Sequence, residues 1–339
     1  MRYLTCLLCA YFCFAKNLRN LNIWSVHDGK IHLDMEPIDV RGITLNGFEN
    51  DILAFNGLWK HSMEFYLDNI KKLGFNFIRV PFSIEMTRNI DTTPHPSLIS
   101  NDLECANKTS LQIMDLFFEK SLKKNFAVVL NLGRLHKDFK TESWHDDRYP
   151  VQDFMDAWFF ILDRYQDQKN LVGLDIYDEP GGSSSDPWLS LVDTFIKSVN
   201  ERYKNNRWIY LVQGVRLGQD FNDFSPLLNH PKIAFTPHVF ETQQNNDTLN
   251  DLYIRWYHDW GFLKNSSTVI VSRAVSESIK WKLILSSYLI YIDACDTFYW
   301  SLSNDPYTGI FLLDWTTIDY YKIDVLNTIS NSSTKLSFN

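Results

Sequence analysis

Short apolar stretches and helical patterns take turns along this chain, and that alternation limits its fold more than any other feature. The apolar stretches fall at residues 38–45, 75–82, 126–132, 171–177, 207–212, 233–238, 268–271 and 297–302. Helical spacing of apolar residues falls at 59–73, 109–124, 151–165, 188–203, 249–262, 279–292 and 317–329. Stretches so short and so uniformly apolar read as strands buried on both faces. Strands alternating with amphipathic helices imply a parallel sheet covered by helices. Eight such units fit an α/β fold, a single-domain (β/α)8 TIM barrel over residues 16–339. A doubly wound open sheet is the alternative. No Gly-x-Gly-x-x-Gly follows the first strand, which disfavours a dinucleotide site. No fixed-period repeat or internal linker divides the chain.

The first fifteen residues stand outside that pattern. Arg2 precedes an apolar run that ends in Ala15. This reads as a secretory signal peptide, residues 1–15, cleaved after Ala15. A membrane anchor is the alternative, but the run is short for a bilayer. Cleavage removes Cys6, Cys9 and Cys13 and leaves Cys105 and Cys295. These two could pair in an oxidising compartment, although nothing in their spacing tests it. Neither sits in a metal-ligand pattern, so no metal and no cofactor are expected. Sequons at Asn107, Asn246, Asn265 and Asn331 suit a secreted glycoprotein. The formal net charge of −8 argues against nucleic acid and anionic membranes as partners. Aromatic residues make up 15% of the chain, with 11 tryptophans, enough to supply both a core and flat surfaces for stacking sugars.

In a barrel, chemistry gathers at the C-terminal ends of the strands. The fourth stretch, Leu171-Val-Gly-Leu-Asp-Ile-Tyr-Asp-Glu-Pro180, ends in Asp178 and Glu179. Adjacent residues of a strand point to opposite faces, so these two are not expected to share one bond. Glu49 follows the first strand and Arg79 lies in the second. Asn131, Arg134 and His136 close the third. His238 ends the sixth, Ser272 and Arg273 the seventh, and Trp300 lies in the eighth. An arginine in a strand needs a charge partner, which favours a role for Arg79 in the site. His238 could equally be a satisfied structural histidine. Trp144 and His145 either line the cleft or pin their loop.

These segments, taken in order, resemble glycoside hydrolase family 5, the cellulase family. The resemblance rests on Arg41-Gly-Ile-Thr-Leu-Asn-Gly-Phe-Glu49, Phe77-Ile-Arg-Val-Pro-Phe82, Gly173-Leu-Asp-Ile-Tyr-Asp-Glu-Pro180, Thr236-Pro-His-Val-Phe240 and Phe298-Tyr-Trp-Ser-Leu302. It implies a retaining β-glycosidase with two carboxylates about 5 Å apart. Glu179 matches the proton donor. The nucleophile position is occupied by Arg273, which has no lone pair to offer. Arg79, His238 and Trp300 match substrate-site residues. His136 is out of register with the family histidine. Phe240 stands for a tyrosine, and Asp178 for the asparagine that contacts the sugar 2-hydroxyl.

Glu241 and Glu277 are the carboxylates that could replace the nucleophile. Glu241 reads more simply as a solvated loop acid, and Glu277 as the first turn of a helix. Arg273 would face Asp178 and Glu179 and lower the Glu179 pKa, against the needs of a general acid. Two functions are therefore expected to compete. One is a secreted monomer that hydrolyses β-linked oligo- or polysaccharide. The other is an inactive relative that binds carbohydrate or protein. A misreading of register near Arg273 is the third possibility.

Overall fold

The computed structural model describes residues 22–182, 184–241, 248–330 and 333–338. The expected leader and the sequons at Asn246 and Asn331 lie outside the described residues. The chain opens with three antiparallel strands, β1 (Trp24–His27), β2 (Lys30–Leu33) and β3 (Glu36–Ile38). The barrel strands are β4 (Arg41–Leu45), β5 (Phe77–Ser83), β6 (Ala127–Arg134), β7 (Leu171–Asp175), β8 (Ile209–Val212), β9 (Ile233–Phe235), β11 (Thr268–Val269) and β13 (Thr297–Leu302). They pair in parallel in chain order, and β13 returns to β4. The seam closes where Val271 bridges Thr297 and the Phe298 N–H donates to the Val271 carbonyl at 2.9 Å. The fold is the (β/α)8 barrel.

Between strands run α1 (Met63–Lys72), α2 (Ile84–Arg88), α3 (Ser110–Lys123), α4 (Val151–Tyr165), α5 (Asp186–Arg202), α6 (Leu249–Asp259) and α7 (Ile279–Tyr291), and α8 (Tyr320–Ile329) follows β13. Local chemistry sets several of their starts. Ser62 caps α1, Ser278 caps α7, and Thr109 with Gln112 forms a capping box on α3. α1 therefore begins four residues later than the apolar pattern suggests. Likewise α8 begins after a turn in which Asp314 accepts from the N–H groups of Thr316 and Thr317. Glu277 precedes the Ser278 cap, so it lies outside the first helical turn.

Alternation along the strands sorts side chains into two cores. Ile78, Val80, Leu130, Leu174, Tyr210 and Val212 pack outward under the helices. Phe77, Val129, Ile209, Leu211, Ala234 and Phe298 pack inward with Trp24, Val26 and Ile31 from the N-terminal sheet. Gly42 is required here, because a Cβ on it would sit 2.2 Å from the Phe298 ring. The lower barrel is thus apolar and plugged, with each fully buried aliphatic side chain worth roughly 1.5–3 kcal/mol. Going up each strand by two residues changes the chemistry. Phe77 gives way to Arg79, Val129 to Asn131, Leu211 to Gln213 and Ala234 to Thr236, all buried.

A second ladder continues the barrel upward. β10 (His238–Phe240) pairs in parallel with β12 (Arg273–Val275), placing His238 directly beside Arg273. The apolar run 233–238 is therefore broken between β9 and β10, where Pro237 has no N–H to continue the barrel ladder, and β12 begins beyond the run 268–271. Cys105 is buried and Cys295 half-buried, and both are free thiols, so the suggested pairing is not made.

Candidate functional site

Six charged side chains meet at the C-terminal mouth of the barrel. Arg79, fully buried, donates Nε to Asp175 Oδ2 and Nη2 to Asp178 Oδ1, each at 2.6 Å. Arg273 donates Nη1 to Glu179 Oε1 at 2.5 Å. Lys140 donates to Asp178 Oδ2 at 2.6 Å and also to Glu179 Oε2. Three cations thus face three carboxylates, and the cluster closes at zero charge. Glu49, buried nearby, accepts the Gly47 N–H at 2.7 Å, and burial raises its carboxyl.

The expectation that Asp178 and Glu179 point apart is corrected. β7 ends at Asp175, before either residue, so strand alternation no longer governs them. Glu179 turns back at φ +59°, and its N–H is held by Gln213 Oε1 at 2.8 Å. That turn puts both carboxylates on one ammonium. Through Lys140, Asp178 Oδ2 and Glu179 Oε2 lie no more than about 5 Å apart. The space between them holds the lysine.

His238 gives Nδ1–H to Glu179 Oε1 at 3.0 Å, since a carboxylate there can only accept. Its Nε2, also buried, has no partner and lies 3.8 Å from Asp178 Oδ1. Burial holds the imidazole below its usual range, so it contributes a hydrogen bond at neutral pH, not a full charge. Burial pushes the Glu179 carboxyl up, but the His238 hydrogen bond and the Lys140 charge outweigh it and bring it down to about 2. Burial also opposes ionisation of Asp178, yet Lys140 and Arg79 hold that carboxyl well below its ordinary value. Asp175 lies deeper, and burial raises it to about 6 despite Arg79.

The remaining expected residues divide. The Arg273 guanidinium carbon lies 4.1 Å from the centre of the half-buried Trp300 ring and 5.7 Å from that of Phe240. The face of Trp300 that it covers is closed to sugar stacking while Arg273 stays. His136 turns away from the mouth. Its Nε2 meets Asp146 Oδ2 at 2.5 Å, and its ring stacks on Phe139. Trp144 packs on Trp188, with ring centres 5.4 Å apart, and so pins its loop. Among the described residues, neither alternative acid hydrogen-bonds to the cluster. Glu241 is exposed and accepts from the Ser276 hydroxyl, and Glu277 is exposed.

Sequence reasoning missed Asp175, Lys140 and Gln213. The loop that carries Lys140 is tied down at several points. Tyr177 donates its hydroxyl toward the Thr141 and Ser143 carbonyls at 2.9 and 2.7 Å, the Gly181 N–H meets the Glu142 carbonyl at 2.8 Å, and Lys137 pairs with Glu85 at 2.8 Å. The signal available for Gln213 was its place at the end of a barrel strand. Lys140 had no such signal.

The family profile described as "Cellulase (glycosyl hydrolase family 5)" matches residues 36–279. An endoglucanase of Paenibacillus polymyxa is 27% identical over 333 residues, covering 85% of this chain and 82% of its own. The major extracellular endoglucanase of Xanthomonas campestris pv. campestris is 23% identical, covering 86% of this chain and 68% of its own. Among solved structures, an endocellulase of Pyrococcus horikoshii in complex with cellotetraose superposes with a TM-score of 0.83 at 23% identity. That match covers 91% of this chain and 98% of the archaeal one.

Proposed function

Since the chain belongs to the cellulase family, glycosyl hydrolase family 5, we propose that it holds β-linked glucan in the barrel mouth without hydrolysing it by double displacement. The observation that carries this reading is the 2.5 Å contact from Arg273 Nη1 to Glu179 Oε1. A cation stands where a retaining glycosidase needs its second carboxylate, and the remaining acid is held ionised. A general acid must carry a proton near neutral pH, and a carboxyl at about 2 carries almost none. The endoglucanase relatives support a β-glucan as the ligand. Residues 1–15 are read as a secretory leader, which N-terminal sequencing of secreted protein would test.

A second reading has one observation behind it. Asp178 and Glu179 meet on one ammonium and are no farther apart than the carboxylates of a retaining pair, so hydrolysis could follow if Lys140 withdrew. One experiment separates the two. Hydrolysis of an aryl β-cellobioside and of β-glucan is measured for the wild type and Glu179→Gln, with calorimetric binding of a cello-oligosaccharide alongside. Binding with equal background turnover in both proteins is the expected result. Turnover that the Glu179→Gln change abolishes supports the second reading. Absence of binding and turnover ends the glycan reading.

A further inference from the structure

Away from the barrel mouth, α6 and α7 meet through tyrosines. The Tyr253 ring lies 5.0 Å from that of Tyr288 and 6.1 Å from that of Tyr291, centre to centre. Tyr257 follows Tyr253 by one helical turn and so lies on the same face of α6. Outside this packing Ile254, Tyr257 and Tyr291 stay exposed, the two tyrosines at 50% and 77%. Large apolar side chains grouped on neighbouring helices mark a surface that something covers.

The segment that borders this surface says what the cover is. A turn of 3-10 helix, Gly261–Asn265, follows α6 and packs on the same tyrosines. A Cβ on Gly261 would sit 2.0 Å from the Tyr288 hydroxyl, so only glycine lets the turn come this close. At the other end of the turn Asn265 is exposed, and its side-chain amide donates to the Tyr257 hydroxyl at 3.4 Å. Asn265 opens the sequon Asn265-Ser266-Ser267. Among the described residues it is the sequon asparagine whose amide hydrogen-bonds to an aromatic side chain. An amide nitrogen that has taken a sugar keeps one proton, so it can still donate to Tyr257. The first sugar then starts beside Tyr257, where the C–H face of a pyranose can pack on the ring.

We propose that Asn265 carries an N-linked glycan whose first sugars lie over Tyr257 toward Tyr291 and cover this face. The proposal goes beyond the glycan-binding reading of the mouth, and it rests on residues 1–15 being a secretory leader. The donor is a polyprenyl-pyrophosphate oligosaccharide of the secretory lumen. A bond forms from Asn265 Nδ2 to C1 of the donor's first sugar, and the C1–O bond to pyrophosphate breaks. The lipid pyrophosphate leaves with that electron pair, and Nδ2 gives up one proton. The attached sugar is bulky and hydrophilic, so it turns an apolar face into a wet one.

The test expresses the full chain in a eukaryotic secretory host, once behind its own residues 1–15 and once behind a borrowed leader of proven function. Amidase release in heavy-oxygen water marks each occupied asparagine for peptide mass spectrometry. Fluorescence of a dye that lights up on apolar surface is then compared for the wild type, Asn265→Gln, Ser267→Ala, and Asn265→Gln with Tyr291→Ser, and near-ultraviolet circular dichroism confirms that each is folded. Asn265 should be occupied behind both leaders. Dye fluorescence should rise in Asn265→Gln and equally in Ser267→Ala, which removes the sequon but keeps the asparagine. It should fall back when Tyr291→Ser is added, which places the uncovered surface on this face. An unmodified Asn265 behind the borrowed leader overturns the inference by itself. Occupancy behind the borrowed leader alone means that residues 1–15 are not a leader, and the natural modification falls with that reading. Equal dye fluorescence in the wild type and Asn265→Gln overturns the cover, since the sugars then point into solvent. A secreted wild type that forms a dimer dissolved by Tyr291→Ser overturns it as well and gives the face to a second copy.

Discussion

On the reading proposed above, Arg273 blocks hydrolysis and Lys140 decides whether replacing Arg273 would permit it. In Arg273→Glu alone, Lys140 still bridges Asp178 and Glu179 and keeps Glu179 ionised. In Arg273→Glu with Lys140→Ala, a new carboxylate faces Glu179 with no ammonium between. Two close carboxylates cannot both ionise easily, so Glu179 rises toward the range of a proton donor. Aryl β-cellobioside turnover is therefore expected only in the double variant, roughly 10²-fold or more above that of the same protein carrying Glu179→Gln, the usual worth of general acid catalysis. Equal turnover in the single variant would show that Lys140 does not obstruct the site. The carboxyls also set the acid response of the fold. Glu179 has a folded value of about 2 against an ordinary 4.5, so its contribution is present above about pH 4.5 and is lost as pH falls toward 2. The loss is about 3 kcal/mol. Asp175 has the opposite sign. Its raised value of about 6 means that protonation favours the fold as pH falls from 6 to its ordinary 3.8. Denaturant titrations from pH 7 to 2 should show stability falling steeply only below about pH 4.5, and Glu179→Gln should flatten that limb. Glu179, His238 and Arg273 were legible in the sequence because each follows or ends a short apolar run, and Arg79 because a charge inside such a run needs a partner. Lys140 was not, since a loop lysine carries no periodic signal and its partners lie almost forty positions away.

At the scale of elements, the barrel strands and most helices followed from apolar periodicity alone. α4 and β13 fall on the residues the pattern marks. What periodicity could not supply was the N-terminal sheet. β1 to β3 are four, four and three residues long, too short to alternate visibly. Their meaning lies in what they cover. Trp24 is fully buried and meets Phe77 edge-on, with ring centres 5.8 Å apart, under the barrel floor. The Val26 N–H donates to the Pro231 carbonyl at 2.8 Å, and Lys232 reaches the Trp24 carbonyl at 2.6 Å. Trp24→Ala should cost about 3–5 kcal/mol by thermal or denaturant unfolding, the usual loss for a large buried aromatic. Because Trp24 belongs to the lower core and Glu179 to the mouth, glycan affinity in the folded variant should stay unchanged. A matching loss of affinity in the fully folded fraction would mean that the floor and the mouth are coupled. The break in the sixth strand was invisible for another reason. A proline inside an apolar run reads as part of the strand until the ladder partner is known.

Over the whole molecule, the two ends of the described chain meet beneath the barrel. Asp39 gives its N–H to the Thr334 hydroxyl at 2.8 Å, Asn76 donates to the Thr334 carbonyl at 3.0 Å, and Leu336 joins the core of Trp24 and Phe77. The last barrel strand is hydrogen-bonded to the first, Thr297 opposite Arg41. This seam fixes an order in time. A chain emerging from a ribosome presents β4 long before β13 exists, and β4 must wait with one edge unpaired. The barrel cannot close until β13 has been made, more than 250 residues after β4. During that wait, whatever handles the nascent chain must shield an open parallel sheet from pairing with its neighbours.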